Sequence, residues 1–307
     1  MLGKGWVVPG VVLILIFGGL AIFFRAYFSS GLQTEGPVET STQKTLGESK
    51  TIVLASPQVK VSPKIMIASK SAAVVPSPAF TPVPKPSLSP QPSPGKSVYT
   101  IAAFGDSMVD TMGENLDYLQ KNLKTRYPST EFKLYNYGIG SQNVIDAEKR
   151  FSDAFSYQTR KYPPIDQINA DVIIISSFAY NPLYPYDKNA YLTALKQVLA
   201  KAKNTGARVY LLAEIAPLKE GFGKGAGGVN WDEQKTNEHV GYILENLDAA
   251  VTLASETKTP LINAYKKSQV DGKYGNKIYV GNHDGIHPSI EGEVFMADLI
   301  AQTLKLP

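Results

Sequence analysis

The sequence predicts an α/β protein, a three-layer α/β/α sandwich on a five-stranded parallel sheet, and two observations lead there. Across residues 98–307, short β-branched and aromatic runs alternate with segments of helical period, the pattern of successive βαβ units with right-handed crossovers. One run, Asp171-Val172-Ile173-Ile174-Ile175-Ser176-Ser177, is continuously apolar at its centre, as a parallel strand covered on both faces must be.

Two segments precede this domain. Trp6 to Phe24 (WVVPGVVLILIFGGLAIFF) carries no charge, and at about 1.5 Å per residue such a helix nearly spans a hydrocarbon core of roughly 30 Å. Residues 1–30 therefore read as a single transmembrane anchor; the alternative, a cleaved signal peptide, has a shorter apolar run and a small-residue cleavage site. Lys4 with the terminal amine on one flank, against Arg25 on the other, favours a cytoplasmic amino terminus and an exported remainder. Residues 31–97 read as a disordered linker. Pro76, Pro78, Pro82, Pro84, Pro86, Pro90, Pro92 and Pro94, interspersed with Ser and Thr, resist helix and sheet. Extended as polyproline II this tether reaches on the order of 200 Å, and a proline-recognition ligand is the alternative reading.

The domain opens with Tyr99-Thr100-Ile101-Ala102-Ala103-Phe104, a buried strand stopping at Gly105-Asp106-Ser107. A helix follows over Asn115 to Tyr127, with Leu116, Leu119 and Leu123 on one face and Pro128 as its stop. Phe132 to Tyr137 alternates as a second strand and ends at Gly138-Ile139-Gly140-Ser141. The apolar strand at 171–177 comes third, ending near Ala179-Tyr180-Asn181. A helix from Asn189 to Asn204 with Gly206 as its cap leads to a fourth strand, Arg208 to Ala213. Gly221 to Gly228 (GFGKGAGG) lacks the Gly-Lys-Ser/Thr ending of a phosphate loop, so it reads as a mobile surface loop that can edge a site. A long helix over Asp232 to Thr257, a short fifth strand over Pro260 to Ala264 and a closing helix from Ile290 to Leu304 complete the chain.

Composition narrows the chemistry. There is no cysteine, which removes disulfides, thiolate metal sites and a cysteine nucleophile. The net charge of +4 resides in the amino-terminal arm, since residues 98–307 carry 22 basic against 24 acidic side chains. No basic stripe interleaved with aromatics appears, so nucleic acid is not an expected partner.

Strand carboxyl ends of a parallel sheet share one edge, and this one collects Ser107, the Gly140-Ser141 turn and Asn181. The loop His283-Asp284-Gly285-Ile286-His287-Pro288 enters from the end of the chain. A serine hydroxyl becomes a nucleophile when an imidazole takes its proton and an acid fixes that imidazole's tautomer. Asp284 and His287, three apart, can form such a pair. An oxyanion needs donors, and the N–H of Ser107, an N–H of the Gly140-Ser141 turn and the Asn181 amide can supply them, each worth about 3–4 kcal/mol of barrier. The alternatives are plainer: Gly-Asp-Ser is common in turns, Asp106 can simply organise its loop, and His239 reads as a structural histidine. His283, Asp284 and His287 could also hold a metal, although a further protein ligand is missing.

Gly105-Asp106-Ser107, Asn136-Tyr137-Gly138-Ile139-Gly140-Ser141, Asn181 and Asp284-Gly285-Ile286-His287-Pro288, in that order, resemble the four blocks of the SGNH (GDSL-type) hydrolases. The resemblance covers about residues 98–307 and implies a flavodoxin-like sheet. It also implies Ser107 as nucleophile, His287 as base, Asp284 as orienting acid, and Asn181 with a Gly140 or Ser141 amide as oxyanion donors. Two departures stand out. The second block reads Gly140-Ser141, and the third reads Ala179-Tyr180-Asn181-Pro182, where Tyr180 is placed to narrow the pocket.

The expectation is a membrane-tethered, externally facing serine esterase that hydrolyses small, acetyl-type esters on a small molecule or an envelope glycan, with no cofactor and no metal. A lysophospholipase or thioesterase acting on longer chains, acyl transfer to a sugar, and a non-catalytic envelope-binding module are the competing readings.

Overall fold

The computed structural model describes residues 95–306 together with Ser89 and Gln91. The expected anchor at 6–24 and most of the tether lie outside the described residues, among which no helix is long and apolar enough to cross a membrane. At the tether's end, Gln91 N–H donates to Arg126 O at 2.8 Å, and Lys96 pairs with Asp171.

Among the described residues seven strands form: β1 (Val98–Gly105), β2 (Glu131–Gly138), β3 (Phe155–Tyr157), β4 (Arg160–Tyr162), β5 (Val172–Ser176), β6 (Arg208–Ala213) and β7 (Leu261–Asn263). Five make one sheet in the order β2-β1-β5-β6-β7, every pair parallel, which is the doubly wound order expected. β1 lies between β2 and β5, with Gly105 level with Gly138. Alternation sorts the side chains onto two faces. Ile101, Ala103, Val172, Ile174, Tyr210 and Leu212 join one core, whereas Ala102, Phe104, Ile173, Ile175, Val209 and Leu211 join the other.

The helices are α1 (Ser107–Asp110), α2 (Asp117–Arg126), α3 (Val144–Arg150), α4 (Lys188–Asn204), α5 (Glu233–Glu256), α6 (Ala264–Ser268) and α7 (Ile290–Thr303). The long ones fall where helical period predicts them. Asp187, Asp232 and Ser289 cap α4, α5 and α7 by accepting first-turn N–H groups, and Gly206 follows α4 with φ +83°. α7 packs on the same core as α2, where Asn122 Nδ2 donates to Asp298 Oδ1 at 2.6 Å.

The short elements that were not predicted include α1, α3, α6 and the antiparallel hairpin β3–β4. Three-residue strands have too few positions to show a period, and the hairpin turns through Gln158 at φ +53° without glycine. The fifth strand is also shorter than expected. Asn263 accepts from Lys266 N–H at 2.9 Å and starts α6 there.

Candidate active site

Ser107 stands two residues beyond the β1 carboxyl end, at the first position of α1, and is half-buried. Asp106 makes this sharp turn. It is fully buried, its Oδ1 accepts the Met108 N–H at 3.0 Å, and its Oδ2 accepts Asn181 Nδ2 at 2.9 Å. A Cβ on Gly105 would lie 2.4 Å from Val109 Cγ2, so only glycine lets α1 fold back so tightly on its strand. The nucleophile block and the asparagine block are thus joined directly. The glycine block joins them through Ile139 N–H, which donates to Gly105 O at 3.1 Å.

Within the Gly140-Ser141 turn the two candidate donors differ. Gly140 N–H donates to the Tyr157 hydroxyl at 3.2 Å. Among the described residues, the N–H groups of Ser107 and Ser141 have no hydrogen-bond partner. Ser141 sits in the left-handed region at φ +58°, a conformation that costs a side-chain-bearing residue about 1–2 kcal/mol.

The loop from the chain's end supplies an acid–imidazole pair. Asp284 Oδ2 lies 2.5 Å from His287 Nδ1, while its Oδ1 accepts the N–H groups of Ile286 at 2.8 Å and His287 at 3.0 Å. Burial pushes the Asp284 carboxyl up, but the His287 ring and the two N–H groups outweigh it and hold the carboxyl below its ordinary value. A carboxylate facing Nδ1 requires the proton there, which leaves Nε2 of a neutral ring as an acceptor. Gly285, between them, has φ +67°, and a Cβ there would lie 2.0 Å from Gly221 O. The glycine-rich segment is therefore no detached surface loop. It packs on the His-Asp loop, with Gly227 N–H donating to His283 O at 3.0 Å.

Ser107, the Gly140-Ser141 turn and Asn181 meet through direct bonds, and Asp284 meets His287. Among the described residues, no hydrogen bond joins Ser107 Oγ to the His287 ring. The two halves connect through Phe222 of the glycine-rich segment, whose ring lies 6.3 Å from that of Tyr180. Tyr180 is itself 5% exposed and its hydroxyl donates to Ile215 O at 2.9 Å, so its ring is packed inward and does not narrow a pocket at the surface. His239 is half-buried between Phe222 and Trp231, at 6.0 and 4.9 Å between ring centroids. His283 is exposed.

Three charged residues escaped the sequence reading. Arg160, on β4, is 2% exposed and donates to Asn136 O at 2.9 Å and Gly138 O at 3.1 Å, while pairing with Asp110 of α1. Arg150 donates to Gly105 O at 3.1 Å and Tyr137 O at 2.8 Å, and stacks over Phe104 at 4.1 Å. Burial, then the charge of Arg160, pulls its pKa down to about 9. Two guanidinium groups thus satisfy carbonyls at the ends of β1 and β2. The available signal was an arginine among aromatics in Phe155 to Tyr162. Replacing Arg160 with Gln strands Asp110 and its fork of acceptors, a loss of about 3–5 kcal/mol. The thermal midpoint is expected to fall by roughly 10 °C, and Lys, lacking the planar fork, restores little of it. Thermal unfolding decides: a midpoint within about 2 °C of the parent would show that the fork does not hold these strand ends.

Glu214, just past β6, is wholly buried and accepts from Ser176 Oγ at 2.5 Å, Ser177 N–H at 2.8 Å and Ser177 Oγ. Its signal was an acid directly after the apolar run of β6. Burial raises its pKa; burial, then the charge of Glu214, pushes Asp106 up to about 7. Both folded-state values exceed those of the free acids, so the native state holds protons that the unfolded chain has released. Their contribution is complete below the free-carboxyl range near pH 4 and is lost as the pH rises through about 7. Asp284, depressed, acts only in more acidic solution. Thermal midpoints are expected to be higher at about pH 5 than at about pH 8, with Asp106→Asn flattening the difference. A midpoint that rises toward the alkaline side would contradict this.

Comparison with known proteins bears on the same segment. A sequence-family model described as GDSL-like lipase/acylhydrolase matches residues 101–300. No curated protein sequence matches the chain. Among solved structures, a GDSL-like lipase from Bacteroides thetaiotaomicron is 17% identical, with a TM-score of 0.48 over 66% of this chain and 86% of that one. A lipase/acylhydrolase from Enterococcus faecalis is 16% identical, with a TM-score of 0.49 over 66% and 94%. An acetylxylan esterase from Geobacillus stearothermophilus is 13% identical, with a TM-score of 0.46 over 70% and 96%.

Proposed function

Because the chain belongs to the GDSL-like lipase/acylhydrolase family and is an ester-hydrolysing serine hydrolase, we propose that Ser107, His287 and Asp284 are its triad and that small, acetyl-type esters are its substrates. The observation that carries this reading is the Asp284–His287 pair, which leaves Nε2 as an acceptor, together with Ser107 at a strand end tied to Asn181 through Asp106.

In the reaction, Ser107 Oγ bonds to the acyl carbon as its proton passes to His287 Nε2. The carbonyl oxygen becomes an oxyanion, received by the N–H groups of Ser107 and Ser141 and by the second amide hydrogen of Asn181. Of the two turn donors, Ser141 takes this role because Tyr157 already occupies Gly140. The C–O bond to the alcohol then breaks and His287 returns the proton to the departing oxygen. Water, deprotonated by His287, attacks the acyl-serine and releases the acid and free Ser107.

A short acyl group is supported by the sequence of residues 98–307, which has no long apolar stretch to line an acyl tunnel. The uncharged segment at 6–24 and the proline-rich tether support placement outside the membrane, at a glycan of the cell envelope. A 4-nitrophenyl ester series from acetate to dodecanoate on the full chain tests the acyl preference. kcat/KM is expected to be highest for acetate and to fall by about tenfold or more by octanoate. A maximum at octanoate or beyond would replace this reading with a lysophospholipase or thioesterase.

A further inference from the structure

Two tyrosines, Tyr184 and Tyr186, follow closely on the asparagine of the site, Tyr242 of α5 stacks on the second, and the reaction uses none of the three. Tyr184, three residues beyond Asn181 and so within about 11 Å of chain, is 99% exposed. The Tyr186 ring lies flat on Tyr242 of α5, with centroids 4.0 Å apart and planes 11° apart. Tyr184 precedes Tyr186 by two residues, so the chain carries it beside the stacked pair.

Polar side chains hold the Tyr186 and Tyr242 rings in place. Tyr186 Oη lies 3.0 Å from Glu245 Oε2 and 3.2 Å from Asn246 Oδ1; Tyr242 Oη donates to Glu238 Oε1 at 2.8 Å; Lys188 Nζ reaches Glu245 Oε1 at 3.0 Å. Glu238, Tyr242 and Glu245 follow one another at i, i+4 and i+7, so they share one face of α5. With their hydroxyls pinned, the Tyr186 and Tyr242 rings lose little conformational entropy when a ligand meets them.

The chemistry of the rim selects the ligand. Glu238 and Glu245 repel phosphates, which disfavours nucleic acid and anionic lipid. A protein partner calls for a contiguous apolar patch, yet the other large exposed hydrophobics among the described residues, Val229, Val270, Ile278 and Ile290, lie neither on the 181–187 loop nor on α5. Flat aromatic faces ringed by carboxylates and an ammonium group match a neutral chain with alternating C–H faces and hydroxyls.

We propose that Tyr184, Tyr186 and Tyr242 form a glycan-binding platform that seats pyranose rings of an esterified polysaccharide beside the catalytic site. This deepens the esterase reading and rests on it for the position of the ester, whereas binding itself is separable from turnover.

The test uses the full chain carrying Ser107→Ala, with O-acetylated xylan and O-acetylated glucomannan as probes in affinity electrophoresis. Retardation by at least one polymer is expected, and adding Tyr184→Ala or Tyr242→Ala should weaken it about tenfold. The Tyr184 ring packs on too little to be needed for folding, and a thermal melt checks that Tyr242→Ala is folded. With Ser107 restored, either change should lower kcat/KM about tenfold more on the polymer than on 4-nitrophenyl acetate. Retardation by neither polymer, equal losses on both substrates, or self-association that Tyr242→Ala abolishes would overturn the platform, the last assigning this face to a second copy. Ring-dependent retardation by a chain that cleaves no ester would keep the platform and refute the esterase reading.

Discussion

Ser107→Ala is expected to lower 4-nitrophenyl acetate turnover by about 10⁵–10⁶-fold and to abolish labelling by a fluorophosphonate probe. The loss is purely chemical, because nothing structural depends on the hydroxyl. Ser107 Oγ has no hydrogen-bond partner among the described residues. The turn around it is held by Asp106, Gly105 and the Asn181 amide, all of which remain. The variant should therefore melt where the parent melts, which separates lost chemistry from lost folding. Residual catalysis reflects oxyanion donors acting on bound ester with water as nucleophile. Turnover above about one hundredth of the parent would remove Ser107 from the nucleophile's role, and a parent that neither turns over ester nor takes the probe would favour a binding module.

Asp284→Asn is expected to cost about 10⁴-fold in kcat, with KM changed far less. The substitution is nearly isosteric, and its oxygen can still accept the N–H groups of Ile286 and His287. The reversed polarity opposite Nδ1 does the damage. An amide N–H there drives the ring proton to Nε2, where it blocks acceptance of the Ser107 proton and leaves the imidazolium without a counter-charge. The pH–rate profile is the discriminating readout, since a variant relying on hydroxide should gain activity steadily in alkaline solution. Activity within about tenfold of the parent would assign Asp284 a purely structural place in its loop.

Much of this site was legible because its parts are local. Gly-Asp-Ser after an apolar run announced a strand end, and Asp284 and His287, three apart, announced a pair that a single loop could close. The structure added what those segments touch. Which amide of the Gly140-Ser141 turn is already bonded turned on Tyr157, sixteen residues beyond Ser141, in a hairpin whose strands are too short to show a period. Arg160 showed only as an arginine among aromatics, and the hairpin brings it to the carbonyls of Asn136 and Gly138 at the end of β2. Tyr180, expected at the pocket, turned inward to a carbonyl after β6.

By itself the sequence determined the parallel sheet, its long helices and the side chains that reach its carboxyl edge, because hydrophobic period, caps and strand-end turns act over a few neighbouring residues. Only the tertiary structure decided which amide stays open, which acids share a buried network and which rings form a surface. Those outcomes depend on contacts between segments far apart in the chain, where burial sets the cost of every unpaired polar group and no local pattern records the partner.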